Sequence, residues 1–155
     1  PEPLLSILVK TYLTELLDYK GGEVFGVLPE TSVEDAAKTM RQRRIGAILV
    51  KRGDELLGIL TERDILNKIV ASGLAAADVT VAEIMVKEVI VIDHRRTVRE
   101  AMQVVTEKKL RHLPVVKDGQ LVGMLSGGDL TRSVVTAQEG HIDTLYEYIN
   151  GGYPA

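Results

Sequence analysis

The sequence predicts an α/β fold of the α+β kind, in which one β-α-β-β-α unit occurs twice. The stretch Ile45–Leu66 recurs without a gap as Leu110–Thr131, so that Gly58 corresponds to Gly123 at a step of 65 residues (123 − 58). Short apolar runs bounded by turn residues alternate with segments whose apolar residues recur every three or four positions, a pattern typical of strands and helices. A period kept without insertion indicates one structural unit used twice.

The chain opens with a predicted amphipathic helix that lies outside the repeat. Its apolar residues recur at three- and four-residue steps up to Leu17, and Gly21 ends it. The apolar face consists of Leu5, Leu8, Leu13, Leu16 and Leu17. The repeats do not obviously need this face for their own cores, so we expect it to be buried in a closed twofold homodimer. The alternative that stays open is a helix that folds back on its own module.

The first repeat is predicted from its apolar runs and caps. In order it contains a strand at Val24–Val27, an N-cap at Thr31 or Ser32, a helix over Val33–Met40, a hairpin of Ile48–Val50 and Leu56–Leu60, and a second helix capped by Thr61 that ends at Ser72-Gly73. The second repeat has the same order after a short joint at residues 75–80. It contains a strand at Val89–Ile92, a cap at Thr97 with a helix up to Val105, a hairpin of Leu113–Val116 and Leu121–Leu125 around Asp118-Gly119, and a helix from about Gly128.

The predicted domain boundaries follow from this order. They are residues 1–21 for the N-terminal helix, 22–78 for the first repeat, 79–138 for the second, and 139–155 for a brief C-terminal helix and tail. A chain of 155 residues is long enough to bury a core without disulfides, and it contains no Cys. No apolar run approaches the roughly 20 residues that span a bilayer. We therefore expect a cytoplasmic protein that does not enter the membrane.

Composition and motif content disfavour several classes of function. The net charge of −3, one Phe and no Trp argue against a nucleic-acid binder, although basic clusters at residues 41–44 and 108–111 keep that alternative open. The three histidines, His94, His112 and His141, are far apart, so we expect no metal site. Neither a nucleophile elbow nor a G-x-G-x-x-G turn is present, so we expect no catalysis.

The motif Thr61-x-x-Asp64 and its copy Ser126-x-x-Asp129 carry the chemistry of the repeat. A hydroxyl at a helix N-cap lies among unpaired N–H groups at the positive end of the helix dipole, which suits a phosphate. A carboxylate three residues later can accept both hydrogen bonds of a cis-diol. The pair fits a ribose phosphate. The alternative is a capping box with a purely structural role, and the preceding Gly58 and Gly123 fit either a close approach to a flat ring or tight packing.

Four segments together resemble the cystathionine-β-synthase (CBS) domain family, as a tandem pair over residues 22–138. They are Gly46–Val50, Gly58–Asp64, Arg111–Val116 and Asp118–Asp129. The terminal segments also resemble those of small stand-alone bacterial proteins built from such a pair. The resemblance implies two repeats packed about a pseudo-twofold axis, with two clefts that bind adenosine nucleotides.

The resemblance also implies a role for each site residue. Asp64 and Asp129 would hold ribose, and Thr61 and Ser126 would lie by the ribose or phosphate. The backbone around Gly46-Ala47 and His112-Leu113 would read the adenine edge, and Val27 and Ile92 would cover its faces. The two copies differ, because Arg63 corresponds to Gly128 and Leu49 to Pro114, while Arg111 and His112 add basic groups to the second copy. We therefore expect unequal sites. For His112, a polar residue at a strand edge is the alternative to a phosphate contact.

The sequence is thus interpreted as a non-catalytic regulatory module that senses AMP, ADP or ATP and passes its occupancy to an unknown regulated protein. Two alternatives within the same fold stay open. NAD would be read through its adenosine half in the same way, and a protein-interaction module with vestigial clefts would bind no nucleotide at all.

Overall fold

The computed structural model of the chain describes residues 11–20 and 24–137. The predicted C-terminal helix at residues 141–150 and the apolar residues Leu5 and Leu8 lie outside these ranges. The described residues fall into two compact units. One comprises residues 24–90, and the other comprises residues 91–137 together with residues 11–20.

The elements alternate along the chain as the repeat predicts. In order they are α1 (Leu13–Lys20), β1 (Gly26–Val27), α2 (Val33–Arg43), β2 (Ala47–Arg52), β3 (Glu55–Thr61), α3 (Glu62–Ile65) with a π-helical continuation (Leu66–Val70), a 3₁₀ turn (Ala76–Asp78), α4 (Val81–Ile84), β4 (Ile92–Asp93), α5 (Val98–Glu107), β5 (His112–Lys117), β6 (Gln120–Ser126) and α6 (Gly127–Ala137).

Each unit contains a three-stranded mixed sheet, in the order β1-β2-β3 or β4-β5-β6. The first two strands of each sheet are parallel and the last two form an antiparallel hairpin. The registers match between the units, since Ala47 pairs with Thr61 and His112 pairs with Ser126. The predicted fold class is confirmed.

The first strand of each repeat is shorter than predicted. Only Gly26–Val27 and Ile92–Asp93 pair with the neighbouring strands β2 and β5. The apolar residues Ile90 and Val91, predicted as part of a strand, are exposed and lie before it. Their apolar character therefore does not reflect burial in the sheet, and the predicted strand at Val89–Ile92 is wrong for its first three residues.

The helices begin at the caps that the sequence indicates. Ser32 accepts a hydrogen bond from the Asp35 amide at 3.1 Å and caps α2, and Thr97 forms a capping box with Glu100 at the start of α5. Both helices turn apolar residues inward, with Val33, Ala36 and Met40 buried in α2 and Val98 and Ala101 in α5. This spacing places one face of each helix in the core of its own unit.

The N-terminal segment is a structural counterpart of the joint between the repeats. In the first unit, Val79 O accepts from Val33 N, and Val81 N donates to Thr31 O, both at 2.8 Å. In the second unit, Thr11 O accepts from Val98 N at 2.8 Å, and Leu13 N donates to Arg96 O at 2.9 Å. The same pair of hydrogen bonds therefore holds a segment at the start of each capped helix, and that segment follows the helix in the first unit and precedes it in the second.

Helix α1 is covered by its own chain. Leu13 and Leu17 lie in the core of the second unit, and Leu16 packs against that core half-buried. The prediction that this apolar face is held for a homodimer is therefore wrong for Leu13 and Leu17. The physical reason is that each repeat needs a flanking segment to cover one side of its sheet. In the second unit α1 precedes the repeat and takes the place that α4, which follows the first repeat, takes in the first unit.

The repeated glycines are part of the same packing. A Cβ added at Gly123 would overlap the Leu17 side chain, and one added at Gly58 would overlap the side chain of Met85 and the carbonyl oxygen of Val86. Of the two alternatives for these glycines, the structure favours tight packing of the sheet against α1 and against the end of α4.

Candidate functional site

The first Thr-x-x-Asp motif lies where β3 ends and α3 begins. Thr61 has extended backbone angles and is the N-cap. Its Oγ1 accepts from the Asp64 amide at 3.2 Å and donates to Asp64 Oδ2 at 2.9 Å, while its own amide donates to the same oxygen at 2.9 Å. The motif is therefore a complete capping box in which Oδ2 of the aspartate is committed.

The second motif repeats this geometry where β6 ends and α6 begins. The amide of Ser126 donates to Asp129 Oδ2 at 2.8 Å, and Ser126 Oγ accepts from the Asp129 amide at 3.1 Å. Both motifs thus form the capping box that was the structural alternative, and each box holds the first turn of its helix. The box uses one oxygen of each carboxylate, Oδ2, and the other oxygen, Oδ1, takes no part in it.

Both carboxylates are mostly enclosed and keep a small solvent exposure. The exposed fraction of the side chain is 14% for Asp64 and 13% for Asp129. Each has a cation from the next helical turn near Oδ1, since Lys68 Nζ lies 3.5 Å from Asp64 Oδ1 and Arg132 Nη2 lies 2.6 Å from Asp129 Oδ1. An enclosed carboxylate with one uncapped oxygen and a neighbouring cation is suited to a ligand that carries both hydroxyls and a negative charge.

Lys68 and Arg132 are not among the residues that the sequence predicts for the site. Their positions four and three residues after the aspartates were the available signal, because residues at these spacings are neighbours on a helix surface.

The residues just before each hairpin, next to those predicted to read an adenine edge, lie beside the caps. Gly46 O accepts from the Glu62 amide at 3.0 Å, and Arg111 O accepts from the Gly127 amide at 3.1 Å. These bonds join the start of each hairpin to the helix that follows it. They also engage the first amide of each helix, so a phosphate would find fewer free N–H groups there than the motif alone suggests.

The neighbouring residues of the predicted sites are largely buried. Ala47, Leu113 and Pro114 are buried, so each would contribute backbone rather than side-chain contacts. His112 is half-buried with its Nδ1 enclosed, and Arg111 is exposed.

The structure does not bring Val27 and Ile92 to the motif of their own repeat. Val27 lies opposite Val50, three residues beyond Ala47, which pairs with Thr61. Ordinary strand spacing and rise then put the backbones of Val27 and Thr61 about 14 Å apart. The equivalent Ile92 is buried in the core of the second unit. The side chain of Ile92 packs inward within its own unit, and the role of these two residues beside an adenine ring stays a prediction.

The difference between the copies at the second helical position is visible in the structure. Arg63 is exposed, and within residues 11–20 and 24–137 it forms no ion pair. Its counterpart Gly128 leaves space that the Arg132 guanidinium approaches. A free cation therefore lies beside the first motif, whereas the cation beside the second is already paired with the aspartate.

Neither a metal-binding cluster nor a membrane-spanning helix is found in the described part of the chain. It holds no group of three or more His, Asp or Glu side chains placed to bind a metal ion. It likewise has no helix of the length and apolar content required to cross a membrane.

Comparison with known proteins identifies the family. The sequence model of the CBS domain matches residues 22–71 and again residues 81–136. The chain belongs to the CBS domain family. It is 37% identical over 152 residues to the CBS domain-containing protein CBSX3, mitochondrial, of Arabidopsis thaliana, which covers 92% of this chain and 74% of that protein.

Solved structures agree with this assignment. A putative signal-transduction protein with CBS domains from Burkholderia ambifaria is 37% identical, with a TM-score of 0.79 over 83% of this chain and 96% of that one. CBSX2 in complex with AMP is 23% identical, with a TM-score of 0.69 over 83% of this chain and 98% of that one. The latter shares the fold. The chain is therefore a tandem CBS domain pair, which is a regulatory module.

Proposed function

We propose that this CBS domain pair is a non-catalytic sensor that binds AMP or a related adenine nucleotide at its two Thr/Ser-x-x-Asp motifs. The observation that carries the proposal is the state of the two aspartates. Both are enclosed, both are fixed through Oδ2 by a capping box, and both have Oδ1 directed away from that cap. A rigid, desolvated carboxylate oxygen is an effective acceptor for a ribose hydroxyl.

The neighbouring groups support a phosphate-bearing ligand. Arg63, Lys68 and Arg132 put positive charge within one helical turn of the carboxylates, although the protein as a whole is negatively charged. The CBSX2 structure, which contains AMP, supports adenylate as the ligand class of this fold. ADP, ATP and NAD present the same ribose and are the competing ligands.

Assembly is part of the proposal. We propose a homodimer whose interface lies on the first repeat, because the apolar residues Leu13 and Leu17 of α1 are buried in their own unit. Leu66 and Val70 are 57% and 66% exposed and lie four residues apart on the π-helical continuation of α3. Neighbouring exposed apolar side chains of this size are typical of an interface. The regulated partner would respond to ligand occupancy.

Two measurements test the proposal. The purified protein is denatured, and any nucleotide released is identified by its absorbance and mass. The apo protein is then titrated calorimetrically with adenosine, AMP, ADP, ATP and NAD. Binding of at least one of these, with a preference for adenylates over the matching guanylates, is the expected result. If none binds at millimolar concentration, the chain is an interaction module with vestigial sites.

A further inference from the structure

The two candidate aspartates share the same cap but differ at their other oxygen. At Asp129, the Arg132 guanidinium donates a hydrogen bond to Oδ1 over 2.6 Å. At Asp64, Lys68 Nζ is 3.5 Å from Oδ1, and among the described residues that oxygen forms this ion pair without a hydrogen bond. The acceptor is thus occupied in the second motif and available in the first.

Lys68 leaves Asp64 Oδ1 without a hydrogen bond because Lys68 has a second partner. Lys68 Nζ donates a hydrogen bond to the carbonyl oxygen of Ile84, the last residue of α4, at 2.7 Å. This charge-assisted bond is short, and it holds the ammonium group between the carbonyl and the carboxylate. The helix after Asp64 passes into a π-helix that carries Lys68, whereas α6 continues as an α-helix through Arg132.

We propose that Arg132 acts as a latch that keeps Asp129 from accepting a ligand hydroxyl, while Asp64 is open. The proposal rests on the proposed function, because it takes Oδ1 of each aspartate as the acceptor for a ribose diol. A diol arriving at Asp64 adds its hydrogen bonds to an oxygen that has none. A diol arriving at Asp129 must share or displace the Arg132 hydrogen bond. The first site therefore fills at lower ligand concentration than the second.

Adenosine is the probe that isolates this effect, because it carries the diol and no phosphate that could attract a cation. Each site is studied alone, the second in an Asp64→Asn background and the first in an Asp129→Asn background. Arg132→Met removes the guanidinium group but keeps an unbranched apolar side chain, and the matched control is Lys68→Met at the first site. Arg132 is 72% exposed, so its replacement should leave the fold intact, which thermal unfolding verifies.

The expected result is tighter adenosine binding at the second site. Loss of one exposed charge-assisted hydrogen bond to the acceptor should raise affinity about three- to tenfold in Arg132→Met. Lys68→Met should give no such gain at the first site. The ligand 2′,3′-dideoxyadenosine, which lacks the diol, should gain nothing from either substitution.

Three outcomes overturn the latch alone. These are unchanged or weaker adenosine binding in Arg132→Met, an equal gain in Lys68→Met, and an equal gain for the dideoxy compound. Failure of the parent protein to bind any adenine compound overturns the proposed function, so the two failures are distinct.

Discussion

The packing role of Gly58 leads to a substitution whose cost can be worked out from the structure. In Gly58→Ala the new methyl group would overlap the side chain of Met85 and the carbonyl oxygen of Val86. Met85 can rotate away, but the carbonyl cannot move freely, because it accepts the Ile59 amide at 3.0 Å. Overpacking of this kind costs typically about 1 to 3 kcal/mol, and the backbone contact places Gly58→Ala at about 2 to 3 kcal/mol.

Two other glycines provide matched controls. At Gly123 the overlap is with the end of the Leu17 side chain, so we expect a smaller cost for Gly123→Ala, about 1 to 2 kcal/mol. A Cβ at Gly127, at the start of α6, meets nothing, and alanine is the better helix former, so Gly127→Ala should be neutral or stabilising by up to about 1 kcal/mol. The predicted order of destabilisation is Gly58→Ala, then Gly123→Ala, then Gly127→Ala.

Urea denaturation followed by circular dichroism measures these differences, and thermal unfolding provides a check at about 2 to 4 °C per kcal/mol for a chain of this size. If Gly58→Ala were as stable as Gly127→Ala, the packing account would be refuted. If in addition it lost adenosine binding, the glycine would instead serve the approach of a ligand ring.

Three further predictions concern charge, pH and assembly. Arg63→Ala should weaken AMP and ATP binding at the first site and reduce its salt dependence while sparing adenosine, and an equal loss for adenosine in calorimetry would show a structural role. The hydrogen bonds from Arg95 lower the pKa of Asp93 from 3.8 to about 2, so the stability that Asp93→Asn forfeits at neutral pH should shrink as the pH falls from about 4 towards 2; a difference in melting temperature that stays constant over that range would contradict it. Replacing Leu66 and Val70 together with Lys should convert a dimer to a monomer in light scattering, and a parent protein that is monomeric at micromolar concentration would disprove the dimer.

The repeated architecture could be predicted from sequence because its determinants are local. The apolar runs of β2, β3, β5 and β6 and the hydroxyl caps at Ser32, Thr61 and Thr97 each act over a few residues, and the structure confirms them. Because the same elements recur at a constant step, the prediction for each copy strengthened the prediction for the other.

The flanking segments at residues 11–13 and 79–81 could not be predicted, because they do not follow the step of the repeat. Thr80 bridges to Ser32, and Tyr12 bridges to Thr97. From the first unit to the second, the helix caps advance by 65 residues (97 − 32), whereas the segments that bridge to them go back by 68 (80 − 12). The segments also differ in residue type, so neither the role of α1 nor the presence of α4 was visible from the sequence. Leu13 and Leu17 are buried because the sheet of the second unit lies against them, and this contact depends on the tertiary fold.

The capped helix starts at the candidate site could be predicted from the sequence, but the surroundings of the two aspartates could not. The capping boxes are fixed by three-residue spacing on a helix, and both form. The nucleotide-binding role of the motifs stays a prediction. The inward orientation of Ile92 depends on the face of an edge strand, and the different partners of Lys68 and Arg132 depend on where α4 ends and on a π-helical turn. Such features arise from packing and cannot be read from a motif.

The most direct test of nucleotide sensing is calorimetric titration of the double variant Asp64→Asn, Asp129→Asn with whichever adenine ligand the parent binds. An asparagine carbonyl can replace Oδ2 in each cap, while its NH₂ group replaces the acceptor Oδ1 with a donor. The variant should therefore fold, and it should lose affinity by roughly tenfold or more, the equivalent of one charge-assisted hydrogen bond. The control is Asp35→Asn, the third residue of another capped helix, which should bind as the parent does. Undiminished binding by the folded double variant would contradict the account.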